Sequence, residues 1–188
     1  KMKKRIAFVH NAMWEMYNFR GELLQELKAK GYEITVICPP DEKNAHYFTD
    51  LGIKLLTVPM SRKGTNIKED VQLVKNLFKV YKKEKFDLVF HYTIKPNIYG
   101  TLAAKLAGIK SIAITTGLGY VFLHNNITSL IAKFMYKFSL AFANEVWFLN
   151  DDDMNIFLDK DLITERQAFK LPSEGINTKT FVPKEKSR

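Results

Sequence analysis

The stretch RIAFVHNAMWEMYNFRGELLQELKAKGYEITVIC, residues 5–38, decides the fold. It opens with RIAFVH, a short apolar run bounded by polar residues, which reads as a buried strand. YNFRGELLQELKAKG follows, with Leu23, Leu24 and Leu27 at helical spacing and Gly31 as a stop. YEITVIC is a second apolar run, halted by Pro39 and Pro40. Two wholly apolar strands joined by one helix make the βαβ unit of a parallel sheet, because strands covered on both faces lose the alternation of half-buried ones.

The same alternation continues along the chain. NAHYFTDLG reads as a short helix and IKLLTVP as a third strand. NIKEDVQLVKNLFKVYKKEK places Ile67, Val71, Val74, Phe78 and Tyr81 on one helical face, with C-terminal lysines that suit the helix dipole. DLVFH is a fourth strand, PNIYGTLAAKLAG a helix with Pro96 near its first turn, and KSIAITT a fifth strand. ITSLIAKFMYKFSLAFA carries Ile127, Leu130, Ile131, Phe134, Met135 and Phe138 in a stripe expected to face the core in preference to a membrane surface, with Lys133 and Lys137 outside. NEVWFL, NDDDMNIFLD and QAFKLP add a strand, a helix and a seventh strand. The expected fold class is α/β: a Rossmann-like doubly wound sheet of about seven mainly parallel strands with helices on both faces. One domain is expected over residues 1–182, with 183–188 as the start of a linker.

Composition narrows the partners. The 188 residues are 46% apolar, enough for one full core, and carry a net charge of +9. That charge favours anionic partners without choosing among them. The aromatics follow core periodicity and do not interleave with cations, so nucleic acid is not an expected partner. Cys38 is the single cysteine, which excludes an internal disulfide and a thiolate metal cluster. It is read as a core residue, and a reducing cytoplasm as the compartment. The N-terminal KMKKRIAFVHN lacks the apolar length of a secretory signal. Residues 111–132 hold no charge, but TTGLG and HNN within them argue for strand, loop and helix start and against a membrane span.

In open parallel sheets, ligands bind beyond the C-terminal strand ends. The loop HNAMWEMYNFRG lacks Gly-x-Gly-x-x-Gly, so no dinucleotide site is expected. Arg20 is placed near a helix N-terminus, where it could grip a phosphate or pair with a surface acid. SRKGTN could hold a phosphate or form a solvated turn. Gly117 and Gly119 would let backbone approach a ligand, and Tyr120 and Phe122 could stack on a sugar or pack inside. His91 is either a buried, hydrogen-bonded histidine or a polar ligand contact. His10, His91 and His124 are not at metal-ligand spacing, and His46 is expected to be exposed. The Asp151–Asp153 run fits a helix cap with favourable dipole charge. No metal site and no self-contained catalytic constellation is recognisable.

At these loops the chain resembles the N-terminal domain of family 4 glycosyltransferases, retaining enzymes of two Rossmann-like domains in the GT-B architecture. The resemblance runs through FVHNAMWEMYNFRGELLQELKAKGYEITVICP, DLVFHYTIKPNIYGTLAAKLAGI, ITTGLGYVF, EVWFLNDDD and LPSEGINTKTFVP, with KPNIYG and TGLGYVF the most specific pair. It resembles bacterial enzymes of capsular polysaccharide, O-antigen or lipid-linked oligosaccharide synthesis. It implies that Asn11, Asn18, Arg20 and Gly21 face an interdomain cleft, that His91, Lys95 and Asn97 line its acceptor side, and that Thr116, Gly117, Gly119 and Tyr120 form a loop near the reacting sugar. Glu174 and Gly175 would stand at the cleft edge. That loop lacks the histidine many relatives present, so no catalytic residue can be carried over. The family's paired donor glutamates, with seven residues between them, are also missing. The resemblance therefore implies half an enzyme: acceptor domain present, donor domain absent, and no turnover by these residues alone. The nucleotide-sugar would be a co-substrate and no cofactor is expected. The acceptor would be a saccharide, expected on a polyprenyl diphosphate, with peripheral attachment to the anionic inner face of the plasma membrane. Two other readings stand beside it: a non-catalytic docking subunit of a split glycosyltransferase, and a GT-B sugar-nucleotide epimerase.

Overall fold

The computed structural model describes residues 3–61, 66–117 and 127–175. Seven strands form one sheet: β1 (Arg5–Val9), β2 (Glu33–Cys38), β3 (Lys54–Thr57), β4 (Leu88–Tyr92), β5 (Lys110–Thr115), β6 (Glu145–Phe148) and β7 (Ala168–Lys170). Their order is β3-β2-β1-β4-β5-β6-β7, and every pairing is parallel. The expected doubly wound α/β sheet is therefore present. Its strand order reverses between β1 and β4, which makes their shared C-terminal end the switch point where such sheets bind ligands.

Helices α1 (Met13–Ala29) and α2 (His46–Asp50) cover one face. Met13, Met16 and Leu24 of α1 and Phe48 of α2 pack with Ile6, Phe8, Ile34 and Val36. The other face carries α3 (Ile67–Glu84) and α4 (Thr101–Ala107), which bury Leu73, Leu77, Tyr81, Ala103 and Ala104 against Ala7, Val9 and Val89. On the same face, α5 (Ile127–Leu140) and α6 (Asp151–Asp159) bury Tyr136, Leu140 and Phe157 against Ala113, Val146 and Phe148. Each such large side chain contributes roughly 1.5–3 kcal/mol when fully buried. Cys38 is fully buried, as its apolar run implied, and burial pushes its thiol up to about 12.

Three helices differ from their periodicity. The first begins at Met13, not at Tyr17, because Met13 and Met16 already join the buried stripe of Leu24. Arg20 and Gly21 consequently lie two turns inside α1 and not at its N-terminus. The second is α3, where Ile67 and Val71 are exposed and the buried row is Asp70, Leu73, Leu77, Tyr81 and Glu84. The helix is turned because its two inward acids find cations across the chain. Asp70 meets Lys95 at 2.7 Å, and Glu84 meets Arg5 at 2.8 Å and Lys54 at 2.7 Å. Hydrogen bonding from Lys54, helped by Arg5, holds the Glu84 carboxyl below the usual carboxylate range. The third is α5, which turns Ile127, Leu130, Ile131, Phe134 and Phe138 to solvent, although that stripe was expected to be core. Its inner face is Ser129, Tyr136, Ser139 and Leu140, and the small hydroxyl residues let it lie close to the neighbouring chain. Asn150, not an aspartate, caps α6: its side chain accepts from the Asp153 amide at 2.7 Å, with Asp151–Asp153 forming the first turn.

Candidate functional site

At the switch point β1 runs out into His10, which is buried. Its amide donates to the Ile37 carbonyl at 3.1 Å, and its Nδ1 accepts from the Ala12 amide at 2.9 Å. This tight exit feeds α1. The neighbouring exit from β4 is Tyr92 followed by Thr93, whose φ of 69° is left-handed. A β-branched residue there is strained by roughly 1–3 kcal/mol. Its Oγ1 is also buried without a hydrogen-bond partner. Strain and an orphaned hydroxyl thus coincide where the fold puts ligands.

Arg20 reaches this point from α1. It is 4% exposed, and its guanidinium carbon lies 4.0 Å from the centre of the Tyr92 ring. Nη2 donates to Glu174 Oε1 at 2.6 Å, while Nε has no partner. Burial pushes the Tyr92 phenol up to about 12, so it stays protonated. One cation therefore ties together the first helix, the central strand exit and the segment after β7. Thr116 and Gly117, just past β5, are exposed on the same rim. Gly117 has φ of 143° with open space where a side chain would stand. Gly175 (φ 73°) follows Glu174 and donates its amide to Ser173 Oγ at 2.9 Å. Asn11 lines a cavity of about 360 Å³ with Trp14, Glu15, Pro40 and Asn44.

The acceptor-side residues behave otherwise. His91 is 0% exposed, and its Nε2 lies 2.9 Å from the Tyr81 hydroxyl. Burial pushes its imidazole down to about 3, so it is neutral. A Cβ on Gly100 would sit 2.4 Å from the His91 ring, so the site leaves no room beside it. Asn97 is equally internal, donating from Nδ2 to the Ile114 carbonyl at 3.0 Å. Both are corrected from cleft-lining to interior positions, because strand parity sends His91 to the side of Val89 and the turn after Thr93 folds Asn97 inward. Lys95 donates to Asp70 Oδ1 at 2.7 Å and to Ser61 Oγ at 2.8 Å, and the Tyr99 hydroxyl donates to the other Asp70 oxygen at 2.7 Å. Lys95 still borders a cavity of about 450 Å³ with Pro39, Pro59, Met60 and Asn76. Its charge there is already matched. Asn18 and Gly21 belong to α1 and not to a loop, and Gly21 packs near the Tyr17 ring. Gly119, Tyr120 and most of SRKGTN lie outside the described residues. Sequence reading missed His10, Asp70, Tyr92 and Thr93. Tyr92 and Thr93 stood inside the stretch DLVFHYTIKPNIYGTLAAKLAGI, and the fold is what separates their roles from His91. Among the described residues, no cluster of three or more His, Cys, Asp or Glu could hold a metal ion.

Residues 5–150 match the family model for glycosyl transferase 4-like proteins. The chain belongs to that family. Among the glycosyl transferase 4-like relatives is the N,N'-diacetylbacillosaminyl-diphospho-undecaprenol alpha-1,3-N-acetylgalactosaminyltransferase of Campylobacter jejuni, 32% identical over 95% of this chain and 48% of that protein. Another is the UDP-Gal:alpha-D-GlcNAc-diphosphoundecaprenol alpha-1,3-galactosyltransferase of Escherichia coli, 24% identical over 81% of this chain and 39% of that protein. The chain thus spans half or less of the length of these relatives. The solved UDP-GlcNAc 2-epimerase of Neisseria meningitidis, bound to UDP-GlcNAc, superposes with a TM-score of 0.67 at 14% identity, covering 90% of this chain and 47% of that one. At that identity the likeness speaks for the fold alone.

Proposed function

We propose that this chain is the acceptor-side half of a retaining glycosyltransferase that moves a sugar from a nucleotide-sugar to a saccharide on a polyprenyl diphosphate, in bacterial surface polysaccharide synthesis. The carrying observation is Arg20, seated on Tyr92 at the switch point with one guanidinium nitrogen unpartnered. A buried planar cation at a strand-exit rim is suited to an anionic or polyhydroxyl ligand. The names of the two relatives, both acting on diphosphoundecaprenol-linked sugars, support the acceptor class. The nucleotide-sugar would bind mainly outside these residues, on a second domain. Catalysis would then rest on positioning and on stabilising an oxocarbenium-like sugar and a departing diphosphate. The acceptor hydroxyl would attack from the face the diphosphate leaves, giving its proton to that leaving phosphate.

Placement follows from the acceptor. No helix among the described residues is long and apolar enough to cross a membrane. The reading is a cytoplasmic enzyme attached peripherally to the inner face of the plasma membrane. The surplus of +9 supports this, since each Lys or Arg near an anionic surface contributes about 1 kcal/mol. The test is turnover by the intact protein with a panel of UDP-sugars and a detergent-dispersed undecaprenyl-diphosphate-linked saccharide. The expected result is a saccharide one sugar longer, with the donor's anomeric configuration kept and no turnover by residues 1–188 alone. Epimerisation of free nucleotide-sugar without acceptor would overturn the reading.

A further inference from the structure

Where β1 and β2 leave the sheet, the chain borders an opening whose chemistry differs from that of the Arg20 rim. A cavity of about 360 Å³ lies between the start of α1 and the segment after β2, bordered by Asn11, Trp14, Glu15, Asp41 and Asn44. Pro39 and Pro40 give it a stiff wall, because their rings fix the backbone. Among the described residues no lysine or arginine lines it, while two carboxylates, Glu15 and Asp41, do. An anion is therefore disfavoured there. The polar groups are only partly used inside the protein. Asn44 donates from Nδ2 to Asp41 Oδ2 at 2.7 Å, which leaves its carbonyl oxygen and a second amide hydrogen. The Asn11 side chain makes no hydrogen bond with another described residue. Trp14 is 50% exposed although Met13 and Met16 near it are buried, and Phe19 meets its indole edge to face with ring centres 6.3 Å apart.

We propose that this cavity is a subsite for one neutral sugar ring of the acceptor saccharide. A hexopyranose has an apolar face of C–H groups and a rim of hydroxyls that both donate and accept. Trp14 offers a flat apolar surface for the first. Asn11, Asp41 and Asn44 offer mixed donors and acceptors for the second. The volume sits at the lower end of small-molecule sites, roughly 300–1,000 Å³, which suits a single ring. The proposal rests on the glycosyltransferase reading above, and it divides the ligand by chemistry. The charged part belongs with Arg20 and the uncharged ring with Trp14. His10 joins the two places: it precedes Asn11, and its ring centre is 6.0 Å from that of Tyr92, on which Arg20 is seated. Its Nε2 lies 3.7 Å from Glu15, so the border of the cavity is tied back to the rim.

The test is binding of methyl N-acetyl-α-glucosaminide and methyl α-glucoside to the intact protein, followed by saturation-transfer NMR, with transfer kinetics on a polyprenyl-diphosphate-linked saccharide alongside. Wild type is expected to saturate the ring protons of at least one glycoside. Trp14→Ala is expected to weaken that binding about tenfold and to raise KM for the acceptor by a similar factor. Trp14→Tyr, which keeps a flat ring, should stay within about threefold of wild type. Asn11→Ala breaks no internal hydrogen bond, so it is expected to weaken binding about threefold at an unchanged melting temperature, and it carries the test if Trp14→Ala fails to fold. Inorganic pyrophosphate should not displace the glycoside. Loss of glycoside binding in the variants, with no acceptor ever glycosylated, leaves the subsite standing and sinks the proposed function. Normal transfer with wild-type KM and wild-type glycoside binding in the variants sinks the subsite alone. So does a wild-type protein that saturates neither glycoside, or a glycoside displaced by pyrophosphate, since the cavity then belongs to no sugar or to the diphosphate.

Discussion

His91 and Tyr92 are neighbours in β4, yet they belong to regions built in opposite ways. Behind β4, on the α3 side, His91, Lys95 and Asn97 are locked inside with Tyr81, Asp70 and the Ile114 carbonyl. In front, on the α1 side, Tyr92 supports Arg20, whose acidic partner Glu174 keeps 26% of its side chain exposed. The strained Thr93 is the point where the chain divides between them. Both regions carry the polar residues expected of a strand exit. They differ in the acid each cation meets: Asp70 is about nine-tenths buried with Lys95, whereas Glu174 stays partly exposed beside Arg20. A polar side chain at a strand end is therefore a site candidate only when the sheet's parity and the following turn carry it to the rim.

The contrast breaks most visibly at Lys95. It and Asp70 are about nine-tenths buried as a pair. Removing one partner strands a buried charge, so Lys95→Met is expected to cost about 3–5 kcal/mol in denaturant unfolding. Lys95→Met/Asp70→Leu removes both charges and is expected to regain most of that loss. A single-variant cost below about 1 kcal/mol would place Lys95 with the rim and return it to ligand binding.

The strands were legible in the chain because each is a short apolar run closed by polar or turn residues, as RIAFVH and YEITVIC show. That Gly117 follows β5 was legible because position after a strand is a sequence property, whereas Arg20 was expected at a helix N-terminus and lies two turns inside α1. What escaped reading was pairing at a distance. Nothing local says that Asp70 will turn inward to meet Lys95, so the row of Ile67 and Val71 looked like the buried one. Nothing local says that Tyr92 will lie under Arg20. The α5 stripe failed for a different reason: the helix is apolar on more than one side, and periodicity cannot choose between two apolar faces. His91 was the recoverable error, because it shares the parity of Val89 in a strand covered on both sides.

A second, smaller effect separates the regions by pH. The folded pKa of His91 is about 3, against roughly 6.5 in the unfolded chain. Between those values the unfolded chain binds a proton that the folded one refuses. Stability from neutral His91 is thus full above about pH 6.5 and falls as pH drops toward 3. The expected loss between pH 7 and pH 5 is about 2 kcal/mol, measured by unfolding at the two values. His91→Gln, which can still meet the Tyr81 hydroxyl, is expected to lose that slope. A slope kept by the variant would move the proton uptake to another group and weaken the picture of a sealed interior.

The smallest stability effect is expected at the rim, and it matters because it is small. Glu174→Gln removes the carboxylate charge but leaves an amide oxygen that can accept from Arg20. The guanidinium also keeps its seat 4.0 Å from the Tyr92 ring, a contact that stabilises by up to about 2 kcal/mol when shielded from water. With a partly solvated partner, the lost ion pair is worth no more than about 1 kcal/mol. Glu174→Gln should therefore unfold within about 1 kcal/mol of wild type. On the proposed function it should still alter KM for the acceptor or the nucleotide-sugar, because the free Arg20 donors are what a ligand would compete for. A stability cost near that of Lys95→Met would mean that Arg20 and Glu174 form a second sealed pair, and the two sides of β4 would no longer differ in kind.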